Sequence, residues 1–129
     1  MYEGAAVPPA ILKKLRALCL GLPDAQEEPA WRGTRWVTGK RAFAHVLTIY
    51  AGRPRAYARA AASEGPLVVM TVRTAAPAHR ARVARGTPYF HAPWGTKWRA
   101  QVLGIRLEGT IDWKEVGALV KESYRLLRE

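Results

Sequence analysis

Polar and apolar positions alternate along this chain with two different periods, and the change of period marks its elements. Ile11, Leu12, Leu15, Leu18, Cys19 and Leu22 recur at helical spacing while Lys13, Lys14 and Arg16 fall outside the stripe. This predicts a helix that starts at Pro8 or Pro9, where a missing N–H costs nothing, and stops at Gly21. A second stripe, Trp113, Val116, Val120, Tyr124 and Leu127, follows Asp112 with Glu115 three residues on, a pattern that caps a C-terminal helix. Between these helices the period shortens. Residues 30–37 and Arg41 to Tyr50 read as strands joined by a hairpin turn at Val37-Thr38-Gly39-Lys40. Phe43, His45, Leu47 and Ile49 fall on one face of the second, and Ala44, Val46 and Thr48 on the other.

Residues 51–66 read as a loop with a helical turn around Tyr57–Ala62, closed by Glu64-Gly65-Pro66. Leu67–Arg73 is a buried strand by composition, and Pro77–Arg85 a short Arg-rich helix ending at Gly86. Trp98–Leu107 is a further strand whose alternation slips near Gly104, which predicts a bulge there. The expectation is one α+β domain over 1–129, a central antiparallel sheet with packed N- and C-terminal helices. Its 129 residues suffice for one core without a disulfide or metal staple.

Charge adds what the pattern does not contain. The formal charge is +11, yet residues 1–28 and 108–129 are each net −1, while residues 29–107 hold fourteen cations and one acid, Glu64. Arginine outnumbers lysine fifteen to six, which a base-composition bias would produce. Such a bias does not explain why acids vanish from the middle and return at both ends. A field of this kind draws in polyanions.

Several chemistries find no support. No Gly-rich phosphate loop follows a strand, and the two serines, Ser63 and Ser123, sit in no strand-turn-helix elbow. His45, His79 and His91 lack metal-ligand spacing, and paired carboxylates are missing from the basic middle. No catalytic residue, metal or cofactor is therefore assigned, and the chain is expected not to be an enzyme. Cys19, the single cysteine, reads as a core residue, and its solitude fits a reducing compartment. With no apolar run long enough to cross a bilayer and no secretory pattern at its start, the chain is expected to be cytoplasmic.

What remains is arginine, lysine and tryptophan. WRGTRW at 31–36 and WGTKW at 94–98 each bracket Gly-Thr and a cation with two tryptophans. Trp31 and Trp36 read as core or turn-packing side chains, as do Trp94 and Trp98, although the latter two share a face and are candidates for ligand contact. The expected nucleic-acid contacts are Arg32, Arg35, Lys40, Arg41, Arg53, Arg55, Arg59, Lys97 and Arg99, converging on one electropositive footprint. The alternative is a pocket for a small molecule or anionic metabolite near His45, His91 and Trp94.

The succession Leu22-Pro23, Glu27-Glu28, Trp31, Gly33-Thr34-Arg35-Trp36, Lys40, Phe43-Ala44-His45-Val46, then Phe90, Pro93-Trp94 and Asp112-Trp113-Glu115-Val116 through Leu119, Ser123 and Tyr124 resembles the MmcQ/YjbR family. The resemblance implies an α+β fold in a double-wing arrangement, associated with DNA binding; taken with the basic middle of the chain, the expected partner is duplex DNA. It brings no catalytic residues. Trp31, Trp113, Ser123 and Tyr124 recur in that family and read as fold-making positions.

Overall fold

The computed structural model describes residues 6–94 and 100–128. Four helices, α1 (Pro9–Leu20), α2 (Arg55–Ala61), α3 (Ala76–Arg85) and α4 (Trp113–Arg128), accompany six strands. These are β1 (Ala25–Pro29), β2 (Thr34–Thr38), β3 (Arg41–Ile49), β4 (Leu67–Ala75), β5 (Tyr89–Ala92) and β6 (Ala100–Arg106). They form one antiparallel sheet in the order β1-β2-β3-β4-β6-β5. The expected α+β class and both terminal helices are present.

Alternation along β3 and β4 distributes side chains to two faces. Ala44, Val46, Met70 and Val72 pack with Leu15 and Cys19 of α1 and with Val116, Leu119, Val120 and Tyr124 of α4, forming the larger core. Leu47, Ile49, Leu67 and Val69 turn the other way and meet Phe90 and the short α2. Cys19 is buried in the larger core, and that burial pushes its thiol up to about 12. Asp112 caps α4 by accepting from the Glu115 N–H at 3.1 Å.

Three boundaries differ from the sequence expectation. The acidic segment at 25–29 is itself an edge strand, where Pro29 and solvated carboxylates are tolerated, and residues 30–33 are a turn. Tyr89–Ala92 forms the opposite edge strand, too short to show a period in the sequence. The bulge is not at Gly104, where β6 keeps unbroken register with β4. Gly104 is there because a Cβ would sit 2.2 Å from the Phe90 ring on β5. The irregularity lies in β3 instead: Trp36 faces Ala44 while Val37 faces Ala42, leaving Phe43 as the extra residue. Phe43 thereby joins Ala44 on the α4 side and meets Tyr124 edge-on at 5.5 Å. Buried Ser123 fills the resulting gap, donating to the Phe43 carbonyl at 2.6 Å and accepting from the Arg73 N–H at 2.8 Å. Tyr124 donates to the Pro23 carbonyl and anchors the end of α1. Ser123 and Tyr124 are thus fold-making residues, as expected.

Candidate nucleic-acid interface

The two tryptophans of WRGTRW meet opposite fates. Trp36 on β2 is fully buried, and its indole N–H donates to Glu27 at 2.9 Å. Trp31 is 85% exposed, which corrects its reading as a packing residue. The cause is the turn: Ala30 N–H bonds the Gly33 carbonyl at 3.1 Å, placing Trp31 and Arg32 at a hairpin tip. Gly33, with φ +75°, lies so close to β3 that a Cβ would stand 1.9 Å from the Val46 carbonyl oxygen. The Arg32 guanidinium lies 5.2 Å from the Trp31 ring centroid.

That tip is tied to α2 through His45. His45 Nε2–H donates to the Arg32 carbonyl at 2.6 Å, so Nδ1 is free to accept from the Tyr57 hydroxyl at 3.2 Å. Burial holds His45 below the usual imidazole range despite the bond to Arg32, and the charge of nearby Arg35 acts in the same direction. Burial raises the Tyr57 phenol, opposed by hydrogen bonds with Thr71 and Trp94. Trp94 packs on Tyr57 with ring centroids 4.6 Å apart. His45, Tyr57, Thr71, Arg73 and Trp94 line a cleft of about 130 Å³. Desolvation lowers Arg73 from the ordinary guanidinium range.

His91 is not part of this cleft, which corrects the expected pocket. It stands opposite Leu103 on the helix-covered side, with its Nδ1 at 2.8 Å from His79 Nε2, and buried His79 bonds Thr74. Burial first, then the charge of His91, keeps His79 below its ordinary value.

The structure divides the cations instead of gathering all of them. Arg35 stands across from His45 and pairs with Glu28. Arg53, Arg55 and Arg59 surround the outer side of α2, where Arg55 and Arg59 line a shallow groove with Ser63 and Glu64. Among the described residues, Arg32, Lys40, Arg53, Arg55 and Arg59 form no ion pair. Arg41 departs from the expected set: it lies across from Thr38, which accepts from Arg128 of α4, and so belongs to the helix-covered side. Lys97 and Arg99 lie outside the described residues. Arg80, Arg82 and Arg85 travel with α3 to the helix-covered side, where Arg82 approaches Glu122 and Arg85 approaches Glu115, each at 3.9 Å. A single footprint for every central cation is therefore incorrect, because α3 carries three of the fourteen, Arg80, Arg82 and Arg85, across the sheet.

Around the α2-bearing face, Glu28 and Glu108 are each engaged by an arginine, leaving Glu64. Asp24, Glu27, Asp112, Glu115 and Glu122 attend the opposite face, where Arg16, Arg82, Arg85 and Arg128 have acidic partners. No group of three or more metal-ligating side chains occurs among the described residues, and none of their helices is long and apolar enough to cross a membrane.

No curated protein matches the chain. The model of the YjbR family matches residues 20–126, from the end of α1 to the last turn of α4, and the chain belongs to that family.

Proposed function

We propose that this is a non-enzymatic, cytoplasmic DNA-binding protein that contacts phosphates through Arg32, Arg35, Arg53, Arg55 and Arg59. The observation that carries the reading is the difference in charge pairing between the sheet's faces: beside α2, cations outnumber carboxylates and most lack an acidic partner among the described residues. Unpaired guanidinium groups release counterions when they meet phosphate, which gives affinity without base recognition. The His45–Tyr57 relay supports the same reading, since it fixes the Trp31-Arg32 tip relative to α2 and holds the two basic segments in one arrangement.

A second reading, an anionic-metabolite site, draws on the cleft at Arg73. Its volume of about 130 Å³ is below the roughly 300 Å³ at which ordinary ligand pockets begin. The polar groups beside Arg73 also bond one another, so the cleft favours rigidity over ligand capture.

Fluorescence anisotropy of a labelled duplex across salt concentrations tests the proposal. Neutralising about five phosphates gives a slope of log affinity against log salt of roughly −4 to −5. Absence of binding at low salt overturns it.

A further inference from the structure

We infer that Trp31 is a stacking platform for an unpaired nucleobase, so that this face binds single-stranded nucleic acid, or the unpaired end of a duplex, more tightly than a blunt duplex. The inference rests on the nucleic-acid reading and gives the face a preference that phosphate contacts alone would not have.

Trp31 is the large aromatic most open to solvent among the described residues, at 85%, and Trp36, on the same hairpin, is buried completely. Its exposure is held in place by the backbone. The tip closes through Ala30 and Gly33, rests on the β3 backbone at Val46, and is gripped by the His45 bond to the Arg32 carbonyl. A ring presented from so constrained a turn is preorganised, which reduces the ordering cost of contact.

The chemistry around the ring identifies its occupant. Arg32 covers part of one ring face at 5.2 Å, and the high exposure leaves room for a flat partner on the other. Arg32 has no carboxylate partner among the described residues, and Arg35 lies on the same hairpin toward His45. A planar π-system attached to a negatively charged backbone satisfies the indole and the Arg32 guanidinium together, whereas Arg35 is already engaged by Glu28. In an intact duplex every interior base is stacked on its neighbours, so only an unpaired base has a face to offer.

The experiment uses the full chain and three labelled probes of equal length: an oligothymidylate, a blunt duplex and an oligomer lacking its bases. At one low salt concentration, Trp31→Ala is expected to weaken oligothymidylate binding roughly tenfold, as loss of one base stack does. Trp31→Phe retains most of the affinity. Binding to the base-free oligomer and the duplex stays as in the wild type, and the salt slope for every probe is unchanged. An unaltered oligothymidylate affinity in Trp31→Ala, or an equal loss on all three probes, overturns the inference while leaving the phosphate reading standing. Failure of the wild-type chain to bind any probe overturns both. Sedimentation in which Trp31→Ala dissociates a wild-type dimer, with nucleic-acid binding unaltered, assigns the ring to a second copy and also overturns the inference.

Discussion

The two faces of the sheet are built from the same strands, yet they close in different ways. On one, α1, α3 and α4 cover the large core and bring carboxylates to within reach of their arginines. On the other, among the described residues, the seven-residue α2 is the one helix over a smaller cluster, and its surroundings keep arginines without acidic partners and a bare indole. Hydrophobic burial and charge pairing are therefore concentrated on the side that makes the protein stable. The side with less cover carries the groups capable of meeting a ligand.

The largest expected effect comes from making the same substitution at two tryptophans five residues apart. Trp36→Ala removes a fully buried ring and is expected to cost about 3–5 kcal/mol in denaturant unfolding. Trp31→Ala, at the exposed tip, is expected to stay within about 0.5 kcal/mol of wild type. Equal losses would break the distinction between the faces.

Gly104→Ala sharpens the account of the thinner face. The new methyl group would strike the Phe90 ring, and a loss of about 1–3 kcal/mol is expected, read as a lower denaturation midpoint. A neutral result would mean that β5 is free to move away from β6.

Titration distinguishes the faces more gently. His45 on one and His79 on the other both lie below the ordinary histidine value of 6.5, chiefly through burial. Above that value both are neutral in the folded and unfolded chains, and their contribution does not vary with pH. As pH falls through 6.5, the unfolded chain takes up protons that the folded chain resists, so stability declines until the folded values are reached. Each histidine contributes at most about 1.4 kcal/mol per pH unit. Unfolding midpoints from about pH 8 to about pH 5 should fall, and His45→Gln should lessen the fall. A midpoint that is flat across that window contradicts the burial assigned to both rings.

The smallest stability effect is expected where the binding effect is large. Replacing Arg53, Arg55 and Arg59 with serine should leave thermal unfolding nearly unchanged, since among the described residues none of the three makes an ion pair. A marked loss of stability would show that they serve the fold.

Much of this architecture was legible because helical stripes and capping residues are local signals. α1 and α4 follow from spacing, Pro9 and Asp112. The hairpin at Gly39 and the buried strand at Leu67 follow from turn chemistry and composition. What the sequence hid is non-local. The Phe43 bulge depends on Ser123, eighty positions away, reaching a carbonyl that β4 leaves unpaired. Gly104 signalled an irregularity, but the reason for it was a ring on a neighbouring strand.

The candidate site was legible in part for the same reason. His45 and Trp94 do share one cleft, and His91 does not, because odd and even positions of β5 face opposite ways. Tyr57 carried no signal at all. It lay in the least patterned segment, and its role appears only when α2 folds back over His45. The exposure of Trp31 had a readable clue in Gly33, but reading residues 30–37 as one continuous strand hid the Ala30–Gly33 turn that presents it.

The difference between the faces is tested most directly by removing three cations from each and measuring the salt dependence of DNA binding. One variant replaces Arg53, Arg55 and Arg59 with serine; the other replaces Lys13, Lys14 and Lys121 of α1 and α4. The first variant is expected to lose about 2.7 from the magnitude of the slope of log affinity against log salt, and the second to keep the wild-type slope. Equal changes in both variants would contradict that difference, since the polyanion would then be responding to net charge and not to a face.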